Sequence, residues 1–89
     1  MAHVSLTELA KQLADAKKKE VEVGARYIHY KDPTKEYVVT ELAILEATEE
    51  VAVMYQAQYD EHIPFIRPLS NFTAIVDVDG TPIPRFKKV

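Results

Sequence analysis

Eighty-nine residues, 47% hydrophobic and 28% charged, describe one small domain whose modest core leaves little room for a deep, enclosed active site. Cysteine is absent, which excludes disulfides, thiolate metal sites and cysteine nucleophiles and fits a reducing compartment. A formal net charge of -3 argues against nonspecific nucleic-acid binding, which draws most of its affinity from phosphate neutralisation; a local basic patch is still compatible with it.

The first stretch, MAHVSLTELAKQLADAKKKE, lacks the unbroken apolar run of a signal peptide. No segment approaches the roughly 20 apolar residues of a membrane helix. A cytoplasmic protein with no membrane partner is the expectation. Ser5 to Lys19 is predicted helical. Ser5-Leu6-Thr7-Glu8 forms an S-x-x-E capping box, in which the serine hydroxyl accepts from an early backbone N–H and the glutamate reaches back. Leu6, Leu9, Ala10, Leu13 and Ala16 make one apolar stripe at helical spacing. Lys17, Lys18 and Lys19 end it where positive charge suits the helix dipole. The stripe suits docking on the chain's own sheet or on a second copy.

After Glu20 the chain becomes rich in valine, isoleucine and tyrosine, the composition of strands. Arg26 to Lys31 is a predicted strand and Lys31 to Lys35 a predicted turn, with aspartate and proline in the positions turns favour. Tyr37 to Ala47 and Val51 to Tyr59 are predicted strands joined by Thr48-Glu49-Glu50. In the second, the odd positions Val51, Val53, Tyr55, Ala57 and Tyr59 form the more apolar face. Phe65-Ile66-Arg67 reads as a short strand, with Pro68 holding Arg67 extended, and Leu69 to Phe72 as one helical turn. Ala74 to Val78 is a strand, and Asp79-Gly80 signals a two-residue hairpin loop. Such a loop pairs Val78 with Thr81 and turns positions 82 and 84 outward. Both are proline, so the last strand is expected to be an edge.

The total is a mainly β chain, α+β overall: an amphipathic helix over residues 1–21, then a small SH3-like antiparallel β-barrel over residues 22–89. Four stretches carry a resemblance. Tyr27-Ile28-His29-Tyr30-Lys31, then Val53 to Tyr59, then Phe65 to Phe72, then Asp79 to Phe86 resemble, in order and spacing, the DUF1653 family of small bacterial domains of unknown function. That family's pattern is roughly Y-x-H-Y/F-K, V-x-Y-x-A-x-Y, W-x-R-P-L-x-x-F and D-G-x-x-x-P-R-F. The resemblance covers about Gly24 to Phe86. Phe65 stands where the family has tryptophan, Asp60 to Pro64 replaces a usually glycine-rich segment, and the helix lies outside the pattern. The resemblance implies a compact bacterial β-domain and supplies no activity.

No motif in the chain specifies a reaction. There is no glycine-rich phosphate loop and no nucleophile motif, and His29, Asp60, Glu61 and His62 match no metal-ligand spacing. No catalytic residue, metal or cofactor is therefore assigned. The candidates are binding residues. Arg67 and Arg85 suit bidentate contact with a carboxylate or phosphate, although Arg67 equally suits tying a fold corner. His29 titrates near neutrality. Tyr27, Tyr55 and Tyr59 suit stacking on a planar ligand or an extended peptide, or a place in the core with the hydroxyl at its rim. Together they suggest a non-enzymatic module for an anionic or planar ligand: a nucleotide, single-stranded RNA or a peptide. The alternatives are a homodimer or other assembly through Leu6, Leu9 and Leu13 of the helix, and a small enzyme using His29 as acid or base.

Overall fold

A computed structural model of the chain describes residues 4–89. Helix α1 (Leu6–Lys19) starts where the capping residue stands: Ser5 is extended, and its side chain accepts a hydrogen bond from the Glu8 N–H at 3.1 Å. The stripe docks on the chain's own sheet. Leu9 and Ala16 are buried and Leu13 packs against the core. Leu6, counted in the same stripe, is instead 85% exposed, on the first turn, where it lines an open groove with Ile44 and Ala47. An ion pair from Lys17 to Glu41, 3.0 Å, fastens the other end of the helix to the sheet.

Seven strands follow: β1 (Arg26–His29), β2 (Asp32–Leu45), β3 (Glu50–Ala57), β4 (Pro64–Pro68), β5 (Ile75–Val78), β6 (Thr81–Pro84) and β7 (Phe86–Lys88), with the single turn α2 (Leu69–Phe72) after β4. All pairings are antiparallel. The main sheet runs β4-β3-β2-β1-β7, and β5-β6 stands apart as a hairpin. The expected closed barrel is not what these pairings form. No ladder joins β4 to β7 among the described residues. The sheet is open but curled enough that Arg67 of β4 lies over the ring of Phe86 of β7, 5.3 Å from its centroid.

Two local features of β2 depart from a simple turn and regular alternation. The first hairpin turns at Tyr30-Lys31, pairing His29 with Asp32. Pro33, Thr34 and Lys35 then bulge out of β2 opposite the Ile28/His29 step, so the proline's missing N–H breaks no ladder bond. Asp32 still makes its turn contact, accepting from the Thr34 N–H at 3.1 Å. The second feature is a bulge at Thr40, between Val39↔Tyr55 and Glu41↔Met54. An extra residue reverses the parity of a strand. Tyr37 and Val39 therefore share the inner face with Leu42 and Ile44, although the numbering changes from odd to even.

The Asp79-Gly80 turn is as expected. Val78 pairs with Thr81, and the two loop residues have φ of 51° and 83°, the left-handed pair that a tight hairpin needs. Arg85 donates its N–H to the Ala74 carbonyl at 2.9 Å, so Pro82 and Pro84 face away from β5. The same device guards β4. The Ala57 N–H to Ile63 carbonyl bond, 3.0 Å, sets the phase that turns Pro64 and Pro68 outward. Pro64 and Pro68 thus remove two donors from the outer side of β4, as Pro82 and Pro84 do from β6, and hinder pairing with another chain there.

The core lies between the concave face of the sheet and the two helices. Phe72 of α2 stacks on Phe86 of β7 with ring centroids 4.2 Å apart and planes within 5°; both are buried with Leu42, Val39 and Val53. Phe72→Ala should cost about 3–5 kcal/mol in urea unfolding. Leu6→Ala should stay within about 0.5 kcal/mol, as exposed positions do.

Candidate functional site

The concave face is covered by α1 at one end only. At the other, a cavity of about 130 Å³ is lined by His29, Tyr37, Tyr55, Phe65, Arg67 and Phe86. These come from β1, β2, β3, β4 and β7, so every strand of the main sheet contributes. Alternation places them together. The cross-strand pairs His29↔Phe86 and Tyr55↔Phe65, and Arg67 two residues beyond Phe65, all point to the inner face.

Arg67 is held from three sides. Its Nε donates to the Tyr55 hydroxyl at 2.8 Å, its Nη1 donates to Asn71 Oδ1 at 2.6 Å, and its plane lies over Phe86. Both hydrogen-bond partners are neutral, and no carboxylate pairs with it among the described residues. Two of its five N–H groups are engaged. Because the Tyr55 oxygen accepts from Arg67, the tyrosine proton is left to donate elsewhere.

His29 adds another donor. Its Nδ1 accepts from the Lys31 N–H at 3.1 Å, so a neutral ring carries its proton on Nε2. Burial holds its pKa below 6.5, and the positive charges of Arg67, Arg85 and Lys31 lower it further. The ring meets Phe86 edge-on at 4.9 Å. Tyr37 forms the floor. Its hydroxyl lies 2.6 Å from that of Tyr59, and its pKa is pushed up to about 12, first by burial and then by that hydrogen bond. It remains a neutral phenol at physiological pH.

The sequence candidates distribute unevenly over this geometry. His29, Tyr55 and Arg67 line the cavity together. Tyr59 stands behind it, joined through Tyr37, with Lys35 5.0 Å above its ring. Arg85 is near enough to His29 to lower its proton affinity; its Nε is buried with no hydrogen-bond partner. Tyr27 lies apart. Its ring is buried edge-on against Phe72 at 5.5 Å, and its hydroxyl accepts from the Glu22 N–H at 3.0 Å, fixing the link between α1 and β1. Sequence reasoning missed Tyr37, Phe65 and Phe86. Phe65 and Phe86 stand in recognisable motifs, yet a phenyl ring has no polar group to single it out. Tyr37 had no signal beyond its place in a strand. Among the described residues no group of three histidine, aspartate or glutamate side chains is arranged to hold a metal ion, and no helix is long and apolar enough to cross a membrane.

His29 should titrate below 6.5 by histidine NMR, and Arg67→Gln should move that value upward. The unfolded chain takes up the proton first, so between the folded and unfolded pKa values stability rises with pH, and it is lost as pH falls through that interval. A His29 that titrates at or above 6.5 would contradict the geometry.

Comparison with known proteins supplies a family and no activity. No curated protein matches the chain. A family model described as a protein of unknown function, DUF1653, matches residues 25–88. A crystal structure of a DUF1653 protein from Bordetella bronchiseptica is similar with a TM-score of 0.66 and 32% identity, over 80% of this chain and 90% of that one. With the match beginning just before β1 and running through β7, and α1 lying outside it, the chain belongs to the DUF1653 family.

Proposed function

We propose that this protein is a non-enzymatic binding module, built on a curled SH3-like sheet, whose cavity receives the negative group of a ligand. The observation that carries the reading is Arg67. A guanidinium is held over an aromatic ring by two neutral partners, and among the described residues no carboxylate pairs with it and three of its N–H groups have no partner. A purely structural arginine is most simply satisfied by a carboxylate, and the chain has 14 acidic residues to supply one. Here the nearby groups are donors instead: the Tyr55 O–H, the His29 Nε2–H and the positive field of Arg85. Donors converging on an apolar-walled recess are the pattern of a site for an anion.

A second reading rests on Leu6. It is 85% exposed beside a 660 Å³ groove between α1 and the β2–β3 turn, which suits assembly through the helix. A solution mass of one chain would remove it.

The test of the first reading is an amide chemical-shift map of the labelled chain, titrated with a nucleotide, a short single-stranded RNA and an acidic peptide. We expect at least one to move His29, Tyr55, Phe65 and Arg67 together. Arg67→Gln should abolish the effect while removing only about 1 kcal/mol of stability per hydrogen bond lost. Shifts confined to Lys17–Lys19, or an Arg67→Gln chain that fails to fold, would favour a structural arginine.

A further inference from the structure

The recess is specific about the kind of negative group it suits, and the inference here rests on the anion reading above. We propose that the ligand is a carboxylate borne on an apolar stem. Size is the first argument. A cavity of 130 Å³ is roughly four times the ~30 Å³ that one water occupies in the liquid. That is room for one small anionic group and its first carbons, with the rest of the ligand at the open mouth.

The donor set is the second argument. Phosphate sites are commonly cradled by successive backbone N–H groups or a helix N-terminus. All six lining residues lie on paired strands, whose amides alternate between ladder bonds and outward directions in the sheet plane. The one helical turn nearby, α2, has only four residues and begins after Pro68. What the recess offers is a single planar guanidinium with flanking hydroxyl and imidazole donors. That set matches two coplanar oxygens.

The third argument is the surrounding charge. A polyanion needs a track of cations. Here Lys17 is paired with Glu41, Lys88 with Glu22 and Arg26 with Glu36, while Lys35 lies 3.9 Å from Asp32. The cations that act on the recess are Arg67, Arg85 and Lys31, gathered around His29 and not drawn out into a track. Lastly, the mouth is apolar. Phe65 is 43% exposed and stacks on Tyr55 at 5.7 Å, leaving its outer face to a hydrocarbon or aromatic stem.

The experiment titrates the labelled full chain, in the millimolar range suited to weak ligands, with 3-phenylpropanoate, 3-phenylpropanamide and phenyl phosphate. Two further probes are N-acetyl-Ala-Ala-Phe with a free C-terminal carboxylate and the same peptide as its C-terminal amide. Both carboxylates should shift Tyr55, Phe65 and Arg67 saturably, and both amides should bind at least about tenfold more weakly, as should the acids to Arg67→Gln. If that variant does not fold, the acid–amide comparison on the unaltered chain decides alone. A peptide acid that binds more tightly than 3-phenylpropanoate identifies a chain terminus as the source; equal affinities identify a small free acid. Phenyl phosphate at the recess with no carboxylate binding would overturn the carboxylate inference and leave the anion reading standing. No probe at the recess would overturn both.

Discussion

Phe86 is the ring on which this structure depends. It is buried and meets four other rings and the Arg67 guanidinium: His29, Tyr37 and Tyr55 lie 4.9, 6.0 and 5.3 Å away, Phe72 stacks on it, and Arg67 lies over its face. It sits on β7, the last strand, which reaches the main sheet only by pairing beside β1. The chain's C-terminal segment therefore completes both the core and the recess. Aromatic pairs beyond their buried area contribute about 0.5–1.5 kcal/mol each. In a domain this small, several such pairs on one ring are a large share of the stability available.

The recess follows from the same ring. A concave sheet face needs cover, and α1 covers only the end that carries Leu42 and Ile44. At the other end the cover is aromatic side chains, and the polar groups among them must be satisfied or solvated. Tyr37 is satisfied by Tyr59, and Tyr55 and Asn71 accept from Arg67. What is left over is a surplus of donors and of positive charge, in a chain that is acidic overall. Burial first, and then that positive charge, lower the proton affinity of His29. The outer sides of β4 and β6 are hindered from further strand pairing by their prolines.

Local chemistry was legible from the sequence wherever one or two residues determine the outcome. Ser5 marks the helix start, Asp79-Gly80 the tight hairpin, and Pro82 and Pro84 the outward side of β6, because each acts through its own backbone geometry. Strand identity was legible where alternation is regular, as in Val51, Val53 and Tyr55. It was less so in β2, where the bulges at Pro33–Lys35 and at Thr40 are consequences of pairing and not of any one residue. The open sheet, in place of a closed barrel, is likewise a property of long-range pairing. At the site, Arg67, His29 and Tyr55 carry chemistry that draws notice in any sequence. Tyr27 does too, but its hydroxyl was needed by the Glu22 N–H. Phe65, Phe86 and Tyr37 are functional in this account by position alone, and position is set by curl and register. A motif that resembles a family gives the order of such residues without their purpose.

The proposed site rests on Arg67 as a rigidly held cation with a free face. The most direct measurement is the side-chain 1H–15N spectrum of the Arg67 guanidinium, in the unaltered chain and in Tyr55→Phe. A locked side chain shows a single Nε–H signal protected from exchange with water. That protection is lost in Tyr55→Phe, and the Nη signals stay exchangeable until an anion is added. An Nε–H that exchanges as fast as a free arginine in the unaltered chain, or is indifferent to the loss of the Tyr55 hydroxyl, would mean that the guanidinium is not held over Phe86, and the account of the recess would fail with it.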